Sequence, residues 1–289
     1  MSSSDPPVVA TQRWRLDLAY DGAAFSGFAY QPQFSTVVGV LRATLQSTLH
    51  MDEEPTIVGA GRTDAGVHAF AQVVHVDLPT TLFSTTRGPE PERLRRSLNQ
   101  QLRGRMQVLE AQPVSGEFHA RFSAQWREYR YLVVESDAPG LDLTNAWAWS
   151  VEGPLDLDAM RRATKELLGL HDFRAFCRRP TNFTADEPLL RRVLEVAWAR
   201  LDDEWTVVPG HTPALKFTIR AQSFCHNMIR CLTSVIVEIG RGTLPESTVV
   251  ERLASLRREH LPSPAPAQGL TLVGVGYEES VGGRSGLLR

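Results

Sequence analysis

The 289-residue sequence predicts an α+β protein built from two copies of a βαββαβ unit, the ferredoxin-like arrangement. Three observations predict it: stretches of alternating apolar and polar residues, stretches with apolar residues every three or four positions, and a repeat of their order. The composition is that of a globular protein, with 42% hydrophobic and 22% charged residues. Its apolar stretches are too short for a membrane span, which predicts no membrane association.

The first half of the chain reads as strand, helix, strand, strand, helix, strand. Trp14, Leu16 and Leu18 alternate with polar residues, which is typical of a half-buried strand. A helix follows, with Ser35 or Thr36 as candidate N-terminal caps and an apolar face toward the core. The remaining elements are predicted at 56–58, 69–77, 91–102 and 106–111.

The second half repeats this order. Strands are predicted at 126–135, 192–201, 215–223 and 270–277, and helices from Asp156 or Asp158, from Met228 to Gly240 and from Pro245 to Arg257. Each half should form an antiparallel sheet with helices on one face. We therefore predict domains at 10–113 and 114–280, with flexible tails at 1–9 and 281–289.

The charge balance does not point to a strongly basic protein. The net charge is −2, whereas nucleic-acid binders are more often basic. However, all basic residues except Lys165 and Lys216 are arginines, and the arginine side chain makes forked contacts with phosphate. A local arginine stripe can bind RNA on a neutral molecule because distant charges are screened at cellular salt.

The cysteines and histidines predict neither a disulfide framework nor a metal site. Cys177, Cys225 and Cys231 are separated by 48 and 6 residues and form no Cys-x-x-Cys pair. The interpretation we favour is three reduced thiols. The eight histidines form no metal-binding motif, so no metal or other cofactor is expected. The N-terminus lacks the features of a secretory signal, which favours a cytoplasmic location.

The most informative segment is the glycine-rich loop Gly59–His68, which lies between two predicted strands. Its glycine spacing fits neither a dinucleotide fingerprint nor a phosphate-binding P-loop. The loop carries Arg62 and Asp64. A carboxylate on a rigid turn near an arginine can serve as a nucleophile or a base, and it can equally be a structural turn residue with an ion pair.

The wording of this loop, Gly-Arg-Thr-Asp-Ala-Gly-Val-His, resembles the signature of the tRNA pseudouridine synthase A family. Further motifs of that family occur in the same order along the chain, from about residue 14 to residue 277. They include Tyr20-Asp21-Gly22, Phe118–Ala124, Arg127–Tyr131, Phe224–Arg230 and Pro266–Leu272. Phe28 and Val38 depart from the family pattern, which has Trp and Gln there.

The resemblance implies isomerisation of uridine to pseudouridine at positions 38 to 40 of the tRNA anticodon arm. It also implies two ferredoxin-like domains with an active-site cleft between them, a homodimer and no cofactor. Asp64 falls on the family's catalytic aspartate and Arg230 on the arginine that pairs with it. Tyr129 falls on the active-site tyrosine, and Arg62 on a residue that enters the RNA stem when the target base leaves.

Two other functions remain open from the residues. A protein that binds tRNA with little or no catalysis would keep the arginines and the sheet without needing Asp64. A ferredoxin-like enzyme for small metabolites would need a closed pocket and no RNA affinity. Replacing Asp64 by asparagine separates the first alternative from the enzyme, because binding should persist while isomerisation is lost.

Overall fold

The computed structural model has a mixed α+β fold, as predicted, with mostly antiparallel strands. It describes residues 10–83, 90–136, 146–178, 184, 187–201, 214–257, 261–278 and 286–287. The predicted tail 1–9 lies outside these residues, as does most of the tail 281–289. None of the helices in the described ranges has the length and apolar character needed to cross a membrane.

The strands and helices follow in an order close to the predicted one. The strands are β1 (Thr11–Tyr20), β2 (Ile57–Gly59), β3 (His68–Pro79), β4 (Met106–Pro113), β5 (Ala124–Ser136), β6 (Trp149–Glu152), β7 (Gly169–Asp172), β8 (Leu190–Arg200), β9 (Leu215–Ala221), β10 (Leu270–Tyr277) and β11 (Gly286–Leu287). The helices are α1 (Val37–Leu49), α2 (Pro91–Gln101), α3 (Leu157–Lys165), α4 (Met228–Gly240) and α5 (Thr248–Ser255).

The chain divides into two compact units that are interleaved in sequence. The first unit comprises residues 1–63, 69–125 and 275–289, and the second unit comprises 64–68 and 126–274. The short stretch that contains Asp64 therefore belongs to a different unit from the residues on both sides of it. The predicted domains 10–113 and 114–280 stay a prediction, since compactness alone does not define a domain.

The first unit has the strand order β4-β1-β3, with β2 pairing on β3, and these pairings are antiparallel. Leu16 in the central strand β1 lies opposite Val74 of β3 and Ala111 of β4. Thr36 caps α1 by accepting a hydrogen bond from the Gly39 N–H. The strands form one hydrogen-bonded sheet, and most of the apolar residues of β1 and β3 are buried.

Helix α2 is fixed to the edge strand of the first unit by one side chain. The Asn99 amide donates to the Val108 carbonyl at 2.9 Å and accepts from the Val108 N–H at 2.7 Å. Leu94 and Leu98 of the same helix are fully or almost fully buried. The pair Leu98-Asn99 therefore combines apolar packing with satisfaction of a strand's backbone groups.

The second unit contains the strand order β5-β9-β8-β7, which is antiparallel, and β6 pairs with β5 in parallel. Helix α4 packs on α3 and α5, and α3 also packs on β8. Asp156 caps α3 by accepting from two backbone N–H groups. The apolar helix α4 is buried along most of its length, as its composition predicts.

Three parts of the fold differ from the sequence prediction. Strands β6 and β7 were not predicted, because four residues are too few to show a periodicity. Helix α5 begins at Thr248 rather than Pro245, because the Pro245 carbonyl closes a turn with the Thr248 N–H. Gly286–Leu287, inside the predicted C-terminal tail, form the short strand β11.

The expectation of three reduced thiols is wrong for two of them. The structure joins Cys177 and Cys225 in a disulfide, with Cα atoms 5.8 Å apart. The 48-residue separation gave no hint of this pairing, because the segment after β7 and the segment before α4 meet only in the folded unit. Cys231 is buried in α4.

Candidate active site

The first residues of the loop between β2 and β3 are held by hydrogen bonds from uncharged groups, all in the first unit. The Gln72 side chain donates to the Gly61 carbonyl at 2.9 Å, and the Phe28 N–H donates to the Thr63 carbonyl at 3.0 Å. The Tyr20 hydroxyl shares a hydrogen bond of 2.8 Å with the Thr63 hydroxyl. Burial raises the pKa of Tyr20 to about 12, so its phenol stays protonated and uncharged.

Phe28, where the resembled family has tryptophan, also shapes this part of the loop. A side chain on Gly59 would place its Cβ 2.2 Å from the ring of Phe28, so only glycine fits there. The ring of Phe28 therefore lies directly against the backbone at the end of β2. The departure at this position is compatible with an ordered loop.

The next residues of the loop, 64–68, belong to the second unit. The Val67 N–H donates to the Asp64 carbonyl at 3.2 Å, which closes a turn around the aspartate. Gly66 has a φ of +80°, and a Cβ there would lie 3.2 Å from the Cβ of Ala267. Glycine is required for both reasons: the left-handed backbone and the close approach.

Asp64 lies between two basic side chains of the second unit. Its Oδ1 is 3.3 Å from Nε2 of His226, and its Oδ2 is 3.7 Å from Nη1 of Arg230. The Asp64 side chain is 29% exposed, that of Arg230 20% and that of His226 46%. The carboxylate is thus flanked on both oxygens and still accessible to a ligand.

Arg230 is itself held by the segment before β10. Its Nε donates to the Ala265 carbonyl at 2.6 Å, and the Ala265 N–H donates to the Arg230 carbonyl at 3.1 Å. A further hydrogen bond of 3.3 Å joins its Nη1 to the side-chain oxygen of Asn227. The next residue in that segment, Pro266, accepts a hydrogen bond of 2.7 Å from the Tyr131 hydroxyl. These contacts orient the guanidinium before any ligand arrives.

The four residues predicted for the site are placed differently. Asp64 and Arg230 are brought together. Tyr129 lies on β5 of the same unit, only 7% exposed, with its ring in edge contact with Phe224 at 5.3 Å between centroids. Arg62 is exposed on the loop, two residues before the aspartate. The arginine beside the carboxylate is therefore Arg230, whereas the ion pair considered from sequence spacing involved Arg62.

Sequence reasoning gave no role to His226. The residue is part of the motif Phe224–Arg230, which matched the family as a whole. A lone histidine between a strand and a helix carries no signal of its own, because its proximity to Asp64 depends on the tertiary fold. Its position four residues before Arg230 was the only available indication.

This arrangement suits chemistry that needs an ionised carboxylate. Basic residues lie beside both of its oxygens. Such a carboxylate can attack an electrophilic carbon or accept a proton. Within the described part of the chain, no three His, Cys, Asp or Glu side chains gather as metal ligands would.

Comparisons with known proteins identify relatives over nearly the whole chain. A family model described as tRNA pseudouridine synthase matches residues 18–123 and 163–278. The protein named tRNA pseudouridine synthase A from Cutibacterium acnes is 38% identical over 265 residues, covering 92% of this chain and 88% of its own. The proteins of that name from Halalkalibacterium halodurans (38% identity, 90% of each chain) and Brevibacillus brevis (37%, covering 92% of this chain and 100% of its own) are similar.

Proposed function

The chain belongs to the tRNA pseudouridine synthase family and is an isomerase that forms pseudouridine in tRNA, and we propose that Asp64 is its catalytic aspartate. The observation that carries the proposal is the placement of the Asp64 carboxylate against Arg230 and His226. The residue that the family signature marks is thus partly exposed and has basic side chains at both oxygens.

We propose that the modified uridines are those at positions 38 to 40 of the anticodon arm. The reaction breaks the bond between uracil N1 and the ribose, and rejoins the sugar to carbon 5 of the same base. The hydrogen on carbon 5 leaves as a proton, and N1 gains one, so no oxidant or reductant is needed. Asp64 takes part in the first step, either by adding to the ribose or by acting as a base.

The target base has to leave the RNA stem, because its reacting atoms are unreachable in a stacked helix. Tyr129 is proposed to contact the extruded uracil, since an aromatic ring offers a stacking surface and a phenol a proton-transfer group. Exposed Arg62 is proposed to fill the space that the base vacates. We further infer that two ferredoxin-like domains form the active-site cleft, that the enzyme is a homodimer and that it works in the cytoplasm.

The deciding experiment measures tritium release from tRNA labelled at carbon 5 of uracil. Wild-type protein should release tritium, and Asp64→Asn should release at least about 10³-fold more slowly while binding tRNA normally. The matched control is Asp158→Asn, which removes an exposed carboxylate from α3 and should act like wild type. Binding by the wild type without release would instead support a tRNA-binding protein.

The position is tested with transcripts in which cytidine replaces uridine at 38, 39 or 40, singly and together. The triple replacement should abolish release, and carbodiimide mapping should place pseudouridine at the remaining uridines in the single replacements. Release that survives the triple replacement would contradict the anticodon-arm assignment and leave the isomerase activity intact.

A further inference from the structure

His226 occupies the segment between β9 and α4, and the function proposed above assigns it no step of the reaction. Its Nε2 lies 3.3 Å from Oδ1 of Asp64, closer than Arg230 comes to the other oxygen. Its side chain is nearly half exposed, so burial does not account for its position. The ring nitrogen Nε2 thus lies beside the carboxylate to which the proposed chemistry belongs.

The backbone that carries His226 is fixed on both sides. The Arg178 N–H donates to the His226 carbonyl at 2.9 Å, and the preceding residue is tied to Cys177 by the disulfide. The following residue, Asn227, has a φ of 63°, a left-handed conformation that asparagine tolerates better than most residues. The imidazole is therefore presented from a segment with little freedom to move.

A carboxylate that attacks or deprotonates a substrate must hold a defined plane. Rotation of the Asp64 carboxylate exchanges its two oxygens and turns their lone pairs away from the substrate. Arg230 at 3.7 Å from Oδ2 favours one orientation, and an N–H at Nε2 of His226 favours the same orientation through Oδ1. Misorientation of a reacting group by about 1 Å can reduce a rate by about 10²-fold.

We propose that His226 is a positioning residue for the isomerisation, with its Nε2–H holding Oδ1 of Asp64. This inference rests on the proposed role of Asp64. His226 acts through the aspartate, so it affects the chemical step and leaves tRNA affinity unchanged. Among the described residues, Arg178 bonds to this segment through its backbone N–H and Arg230 lies beside Oδ2, whereas His226 lies beside Oδ1.

Three substitutions separate the donor from the ring. In His226→Gln the amide nitrogen reaches about the place of Nε2, in His226→Asn it stops near the place of Nδ1, and His226→Leu has no donor. We expect single-turnover tritium release to fall about 10- to 100-fold in the Asn and Leu variants. The Gln variant should recover to within about fivefold of wild type. The dissociation constant for tRNA should stay within about twofold in all three.

The matched control is His50→Asn, at an exposed, left-handed position after α1 that asparagine also tolerates. It should behave like wild type. Thermal unfolding verifies that the variants fold, and the Gln variant decides the question if the Leu variant does not.

Three results would overturn the inference: rates unchanged in all variants, equal losses in Gln and Leu, or losses matched by weaker tRNA binding. Wild type and Asp64→Asn are measured in parallel. An inactive wild type or an active Asp64→Asn would overturn the proposed function itself, and with it the role of His226. Release by wild type alone leaves the His226 series to decide the inference separately.

Discussion

Consecutive parts of one loop are held by opposite kinds of interaction. Gly61 and Thr63 are fixed by hydrogen bonds with the uncharged side chains of Gln72 and Tyr20. The next residue, Asp64, lies beside the basic side chains of His226 and Arg230, which are partly exposed. The difference separates two parts of the loop: uncharged hydrogen bonds fix the backbone before Asp64, while the basic side chains beside Asp64 are accessible from solvent.

Substitutions in the two parts of the loop should have different consequences. A lost neutral hydrogen bond costs stability first, and it costs rate only because the loop loosens. A lost charge beside the Asp64 carboxylate changes the electrostatic potential at that carboxylate directly. Substitutions on the charged side should therefore reduce the rate more, and those on the neutral side should reduce the free energy of unfolding more.

The largest effect outside Asp64 itself is expected at Arg230. Arg230→Leu should slow single-turnover tritium release about 10²- to 10³-fold, because it removes the charge beside Oδ2 and the donor to Ala265. Arg230→Lys should lose less, about 10-fold, since it keeps the charge without the forked geometry. Arg241→Leu, at the residue that follows the same helix, is the control. Equal rates for the Leu and Lys variants would contradict an electrostatic role.

An intermediate effect is expected at Tyr20. Tyr20→Phe removes one hydroxyl and leaves the buried Thr63 side chain without that partner. We expect a loss of about 1–2 kcal/mol in the free energy of unfolding, measured by urea denaturation, and about a tenfold slower reaction. The relative loss of rate should be the same at low and high salt. Tyr30→Phe, at an exposed tyrosine, is the control. A loss of rate in Tyr20→Phe that depends on salt would contradict a purely structural role for the uncharged hydrogen bonds.

The smallest effect is expected in the pH dependence of the stability of the first unit. Burial, with the nearby charges of Arg13 and His119, lowers the pKa of His75 to about 4, and its Nδ1 accepts a hydrogen bond from the Ala120 N–H. The unfolded chain binds that proton near pH 6.5. The stabilisation is therefore present above pH 6.5 and is lost as the pH falls toward 4.

Urea denaturation at pH 7.5, 5.5 and 4.5 measures this dependence. His75→Asn keeps an acceptor for the Ala120 N–H and removes the titrating ring. The variant should lose less stability than wild type between pH 7.5 and 4.5. An identical loss in both proteins would assign the acid sensitivity to other groups.

The long strands and helices could be predicted from the sequence because their signals are local. Alternation identified β1, and the apolar face identified α4, whose burial follows from its composition. The pairing of Asp64 with Arg230 came from resemblance rather than from any local pattern. The contact of His226 and the disulfide of Cys177 could not be predicted, because they depend on how separate segments meet after folding.

The residues that meet at Asp64 are synthesised at different times. Asp64 lies in the first quarter of the chain, whereas His226 and Arg230 lie in the last quarter. A ribosome therefore releases the aspartate from its tunnel long before either basic partner exists. A chain whose synthesis stops in between carries the carboxylate without the two basic side chains that flank it in the folded protein.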